Sequence, residues 1–235
     1  MAETLPIYVQ SVELNVSDQP HPYHAENSEL ALTAWEDEIA RKPSMFNGMV
    51  LLERELNYEN DRLIGTSHIV PYSTFLHWVQ NEDGEGDHIF ALGLIISKEG
   101  WPILGQMAGH TFNAGKCYAP SGSLDTDDIH DGKVDLLANI KRELGEETDI
   151  DLSNAEIQSG FQIFRHGRKT IAVTRCLFDM TAEELCQKIN DYIANDSDAE
   201  LSKVFVIKDQ HQYPENLTGY MNAVLDWHFD TICDK

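Results

Sequence analysis

The sequence predicts an α/β protein built from layers of strands and helices. Three observations carry that prediction. Residues 89–97, IFALGLIIS, form a continuous apolar run of strand length, and residues 101–107 run back beside it after the turn Lys98-Glu99-Gly100. Helical patterns with one apolar face alternate with strand-like segments along the whole chain. Hydrophobic residues make up 42% of the 235, enough for a real core, and no repeat or low-complexity stretch interrupts them.

Taken in order, residues 7–14 alternate apolar and polar as an edge strand does. Asn27 or Ser28 is placed to cap a helix carrying Leu30, Leu32, Trp35, Ile39 and Ala40, with Pro43 limiting its extension. Residues 49–56 and 62–70 read as two strands joined by the polar turn 57–61. A short helix over 72–80 carries Phe75, Leu76 and Trp78, and the polar stretch 81–87 after it is the most linker-like in the chain. A boundary there gives a small α+β N-terminal domain over 1–86, with a dimerisation or substrate-capping role, and a larger domain over 87–235. Further on, 161–164 and 170–178 flank the turn Arg165-His166-Gly167-Arg168 as a hairpin. Thr181 and Glu184 form a capping box opening a helix over 181–193, residues 201–207 make a strand, and 220–228 a closing helix.

Charge narrows the function. The net charge of -23 repels the phosphates of nucleic acids and anionic lipid heads, so a long polyanion or a membrane surface is an unfavourable partner. A small anionic substrate stays open, because a bound divalent cation reverses the local field. The four cysteines (Cys117, Cys176, Cys186 and Cys233) form no CxxC pair and no zinc-finger spacing, which fits thiols in a reducing compartment. The first residues lack a basic start followed by an apolar stretch, and no run approaches a membrane span, so a cytoplasmic protein is expected.

The segment that carries chemistry is 134–150, VDLLANIKRELGEETDI. Val134, Leu137, Ile140 and Leu144 fall on one stripe at helical spacing, and Glu143, Glu146 and Glu147 occupy an arc beside it. Like charges at such spacing destabilise a helix, and a hard divalent cation with oxygen ligands relieves them. Arg142 is placed to orient one carboxylate. A solvated acidic helix end, partly balanced by Lys141 and Arg142, is the competing account of the same residues.

Arg142-Glu143-Leu144-Gly145-Glu146-Glu147, with Ile150 beyond, resembles the core of the Nudix box, R-E-U-x-E-E-x-G-U with U aliphatic. Residues 115–125, containing Gly122, resemble the stretch leading into that box, and the hairpin ending at 103–107 stands where the family places one. The similarity covers roughly 88–208, about half of the chain. The sequence departs from the pattern in three places. Gly122 and Arg142 stand further apart by six residues, lodged in 125–133. The pattern's first glutamate falls on Val134, with Asp135 beside it as a shifted substitute, and its late glycine is Asp149. The inserted stretch does not read as a calcium loop, since Ile129 and Ala138 fall where ligands are required; a solvated acidic turn is expected instead.

The resemblance implies a Nudix-type α/β/α sandwich with a mixed sheet, and hydrolysis of a nucleoside diphosphate linked to another moiety. It implies Mg2+ or Mn2+ held by Glu143, Glu146 and Glu147, with the backbone of Gly122 as a further ligand. Glu143 is the first choice of general base, and Glu200, just before a strand, the second. Arg165, His166 and Arg168 on their hairpin turn, with His110 and Tyr118 flanking the approach to the box, are candidate substrate contacts. The expected partner is a small nucleotide-derived substrate, not a nucleic acid polymer and not a membrane. The helix near 30–40 offers a homodimer surface, although packing within its own domain explains it equally. A catalytically silent Nudix-like nucleotide-binding module is the alternative that Val134 and Asp149 favour.

Overall fold

The computed structural model describes residues 6–43, 45–81, 84–111 and 113–233, without the side chains of 232 and 233. Its chain is mixed α/β, and among the described residues the strands form two sheets. The first 86 residues give β1 (Ile7–Val9), β2 (Ser11–Ser17), α1 (Pro22–Arg41), β3 (Met49–Glu59), β4 (Arg62–Pro71) and α2 (Tyr72–Gln80). Then come β5 (His88–Ile96), β6 (Pro102–Met107), β7 (Cys117–Tyr118), β8 (Ile129–His130), β9 (Lys133–Val134) and α3 (Leu136–Thr148). The chain closes with β10 (Ala155–Ile157), β11 (Phe161–His166), β12 (Lys169–Phe178), α4 (Ala182–Asn195), β13 (Leu201–Val206) and α5 (Gly219–Cys233).

The larger sheet has the order β1-β11-β12-β5-β6-β13, with β10 on β12 and β7 on β6. Its centre is the parallel pair β5 and β12, in register from His88 opposite Lys169 to Ile96 opposite Leu177. Every residue of β5 is buried, which is why its sequence is a continuous apolar run rather than an alternation. The smaller sheet has the order β3-β4-β2-β9-β8. Strands β3 and β4 meet in a tight hairpin whose turn residues Asn60 and Asp61 both take positive φ, 47° and 59°. Both sheets cross residue 86 in sequence: β1 pairs with β11, and β9 joins β2. The main core likewise combines Leu14, Leu51 and Leu63 with Leu92, Ile140 and Leu144, and a smaller one gathers Tyr23, Leu52, Val70, Phe75 and Trp78 beneath α1 and α2.

Several expectations change. The alternating stretch 7–14 is not one strand, because the chain passes from one sheet to the other at Gln10. Helix α1 begins five residues before Asn27: Pro22 occupies its first turn, and His21 caps it by accepting the Tyr23 N–H through Nδ1 at 3.1 Å. Leu30 and Leu32 on that helix are exposed. The inserted stretch is not a free acidic turn, since it forms a 3-10 turn over Thr126–Asp128 and then the β8–β9 hairpin on the smaller sheet. Among the described residues, no helix is long and apolar enough to cross a membrane.

Candidate functional site

Helix α3 starts later than its apolar pattern suggests. Val134 is the last residue of β9, and Asp135 is the N-cap, accepting the N–H groups of Leu137 and Ala138 at 3.0 Å each. Asp135 therefore faces its own helix end and does not replace the missing box glutamate. Leu137, expected on the buried stripe, is exposed, while Ile140 and Leu144 seat the helix on the large sheet. They reach it over Gly93, where a Cβ would come within 2.5 Å of Ile140 Cγ2 and 3.0 Å of Leu144 Cδ1. At the other end Asp149 takes the left-handed conformation (φ 54°, ψ 23°) and returns its N–H to the carbonyl of Gly145.

That seating turns Glu143 and Glu147 inward. Glu147 is 4% exposed, and its Oε2 has no hydrogen-bond partner. Burial drives its pKa well above the ordinary carboxylate range; the charges of Glu143 and Glu200 add to the rise, and the backbone N–H of Ser121 opposes it. Burial also raises Glu143, to about 7, with Arg142 lowering it and Glu146, Asp128 and Glu200 raising it. Gly122 lies directly against the Glu143 carboxylate, and a Cβ there would collide with both of its oxygens. The requirement for glycine at 122 is thus one of space. Tyr118 and Tyr220 complete the surroundings. Both are pushed up by burial, Tyr220 to about 12, both feel the Glu147 charge, and the Tyr220 hydroxyl pairs with Ser121.

Arg142 holds the outer side of this group. Its Nη1 stands 2.8 Å from Glu143 Oε1 and 3.2 Å from Glu146 Oε2, and its Nη2 stands 3.3 Å from Asp125 Oδ2 and 3.2 Å from Asp128 Oδ2. The Glu146 side chain, 61% exposed, points toward solvent and Arg142 rather than into the cleft with its two neighbours. Among the described residues no three His, Cys, Asp or Glu side chains already converge as a metal cage. What the residues offer a cation is a half-built set: two crowded buried carboxylates, one with an unpartnered oxygen, and a third carboxylate, Glu200, close enough to raise both. An oxygen-only donor set of this kind suits Mg2+ or Mn2+.

The remaining candidates divide. Tyr118 is buried near the carboxylates and accepts a hydrogen bond from Asn113 Nδ2 at 3.2 Å. His110 is exposed beyond β6. Arg165 is held at its hairpin by Asp87 at 2.8 Å and Thr170 at 2.7 Å, and His166 lies against Gly219. Arg168 packs toward α2. Its guanidinium lies 3.6 Å from the Trp78 ring centroid and donates to the carbonyl of Asn81 at 2.7 Å, which ties the hairpin to α2. Two clefts among the described residues lie elsewhere: about 610 Å³ beside the β8–β9 hairpin, and about 690 Å³ between Asp149 and the outer face of α4. Neither cleft contains Glu143, Glu147 or Glu200. Sequence reasoning missed Asp125, Asp128, Ser121 and Tyr220, and only the acidity of the inserted stretch hinted at the first two.

Solved structures of Nudix proteins are similar to this chain in part. A MutT protein from Methanosarcina mazei Go1 has 20% identity, over 63% of this chain and 96% of its own, at a TM-score of 0.41. A bifunctional NMN adenylyltransferase/ADP ribose pyrophosphatase from Francisella tularensis, complexed with AMP and a manganese ion, has 16% identity over 68% of this chain and 43% of its own, at 0.38. NrtR from Shewanella oneidensis has 16% identity over 63% and 64%, at 0.42. No protein-family model matches the chain, and no curated protein matches it. The reading of the site therefore rests on α3 and what surrounds it.

Proposed function

We propose that this chain is a Nudix-type, metal-dependent hydrolase that cleaves the diphosphate linkage of a nucleoside diphosphate joined to another moiety, such as a nucleotide sugar, ADP-ribose or a dinucleotide. The observation that carries the proposal is the burial of Glu143, against Gly122, and of Glu147 one helical turn on, with Glu147 Oε2 unpartnered. A fold gains nothing from two such carboxylates unless something positive sits between them. Mg2+ or Mn2+ held by Glu143 and Glu147, with Glu200, Glu146 or the Gly122 backbone completing the set, would neutralise charge developing on the diphosphate. Glu143 is the first candidate to take the proton of the attacking water. Glu200 is the second. Arg142 holds Glu143 from the outer side, and Tyr118 and Tyr220 limit water on the inner side.

The test is hydrolysis of a panel of nucleoside diphosphate compounds with magnesium, with manganese and with chelator. Chelator-sensitive cleavage of one class supports the proposal, and no cleavage of any sinks it. The departures from the box pattern at Val134 and Asp149 favour a second reading, a nucleotide-binding module without turnover. Metal-dependent nucleotide binding in the absence of cleavage would select it. A cytoplasmic location and a homodimer through the exposed Leu30 and Leu32 of α1 belong to the same proposal, the dimer tested by mass in solution.

A further inference from the structure

The six additional residues between Gly122 and Arg142 have a structure of their own, and both of its ends are tied to the smaller sheet. At one end the Leu51 N–H donates to the carbonyl of Leu124 at 2.9 Å, and Val50 bridges Asp125. At the other the Val16 N–H donates to the carbonyl of Gly132 at 2.9 Å, and Asn15 stands opposite Lys133. Between these ties the 3-10 turn carries Asp128, which is 1% exposed. Its carboxylate is filled by donors from three directions. Oδ2 accepts from Asn139 Nδ2 at 2.9 Å, from the Asp125 N–H at 3.0 Å and from Arg142 Nη2 at 3.2 Å, and Oδ1 stands 3.3 Å from the same Nη2.

We propose that residues 125–134 form a strap through which the smaller sheet holds Arg142 in place, with Asp128 as the positioning residue. The proposal rests on the hydrolase reading for its catalytic consequence, though not for the contact itself. A charge this buried and this fully hydrogen-bonded is fixed in space, so it makes a rigid anchor. Arg142 needs one, because Glu143 and Glu146 on its own helix compete for Nη1. Without Asp128 the strap holds that guanidinium only through the more exposed Asp125, 3.3 Å from the same Nη2, against the pull of the helix carboxylates, of which Glu143 faces Gly122. The N-terminal segment thereby contributes to the site through strands β2 and β3 and the strap they carry.

Three variants of the full chain test this: Asp128→Asn, Arg142→Lys and the pair together. A fourth, Gly132→Val, loosens the strap from a distance, since Gly132 takes φ 75° and has nothing near its Cβ position. Asp128→Asn and Gly132→Val are expected to lower kcat by roughly 10- to 100-fold with KM little changed. The double variant is expected to be no slower than Arg142→Lys alone, because Asp128 acts only through Arg142. Independently of turnover, the side-chain NMR signals of Arg142 are expected to show restricted guanidinium rotation in the wild type and free rotation in Asp128→Asn. Wild-type kcat in folded Asp128→Asn, or additive losses in the double variant, would overturn the proposal. If the wild type hydrolyses nothing, the hydrolase reading fails and the NMR comparison decides the strap: unchanged Arg142 rotation overturns it. If Asp128→Asn does not fold, Gly132→Val carries the same comparison, and unchanged kcat and rotation there overturn it.

Discussion

Replacing Glu147 with Gln separates what this residue does for stability from what it does for chemistry. Glu147 is 4% exposed, its Oε2 is unpartnered, and its pKa is raised by burial first and then by Glu143 and Glu200. A carboxyl whose folded-state pKa is raised contributes stability while it is protonated. That contribution is lost as the pH climbs above the ordinary carboxylate range. At pH 8 without metal, a wild-type Glu147 therefore strains the fold, and a neutral isostere relieves it. The relief is expected at about 1 to 2 kcal/mol, within the range of functional sites that trade stability for activity. For a chain of this size that corresponds to a rise in Tm of roughly 2 to 8 °C.

The catalytic consequence runs the other way. Loss of a metal-ligating or proton-accepting carboxylate is expected to lower kcat by about 10² to 10⁴, roughly 3 to 5 kcal/mol of transition-state stabilisation. Thermal melts at pH 5 and pH 8, with chelator and with saturating manganese, read the first effect, and turnover on the cleaved compound reads the second. Manganese at a hundredfold excess over its dissociation constant is expected to stabilise the wild type by about 2.7 kcal/mol and the variant by much less. The stabilising effect of Glu147→Gln should also shrink at pH 5. A folded variant that is less stable than the wild type at pH 8 without metal, or that turns over at near the wild-type rate, refutes the reasoning.

Glu53, fully buried on β3 and pushed up to about 8 by burial, accepts the Ile89 N–H and the Ser67 hydroxyl, each at 3.0 Å. Its contribution is present at acid pH and fades as the pH rises from about 4.5 toward 8, so Glu53→Gln should flatten that part of a pH series of denaturant midpoints. Arg168→Ala should lower stability by about 1 to 3 kcal/mol while leaving KM unchanged, since its partners are Trp78 and the carbonyl of Asn81; a raised KM would return it to the substrate contacts. Asp149→Gly should stabilise by about 0.5 to 1 kcal/mol by relieving the left-handed residue that closes α3, and a destabilised variant in thermal melts would show that its side chain does more than tolerate that conformation.

What could be read from the sequence was what local chemistry decides. Helix α2 falls on 72–80 as expected because Pro71 precedes it and a polar stretch follows it, with the apolar residues between at helical spacing. The capping box of Thr181 and Glu184 likewise fixes α4 by contacts within four residues. The start of α1 was misread, although Pro22 carries a first-turn signal, because Asn27 and Ser28 are better caps by residue type than the His21 that does the capping. Other features could not be read because their partners are distant in the chain. The split of residues 7–14 between two sheets depends on β11 and β4, and the burial of Glu53 depends on Ile89 across the seam. At the site, the composition of 142–147 pointed to crowded carboxylates, but helical spacing alone did not separate the buried Glu143 and Glu147 from the exposed Glu146. Nor did it show that the partner of Arg142 comes from the inserted stretch.

These observations share a cause. Helix α3 carries carboxylates that repel one another, and the cation of its own sequence that pairs with them is Arg142, which sits one residue from Glu143 and one turn from Glu146. Such a helix end is held together from outside. Ile140 and Leu144 seat it through the gap that Gly93 leaves in β5, Asp135 satisfies its first N–H groups, and Asp149 closes its last turn. Asp128 then draws Arg142 toward the smaller sheet, so that its guanidinium does not settle wholly on Glu143. The repulsion that remains is directed at the inner side, where burial and the charge of Glu200 raise Glu143 and Glu147, and Glu143 adds to the rise of Glu147. Under the proposed function, such a site trades stability without metal for cation affinity, so the side chains that strain the fold are the ones proposed to carry its chemistry.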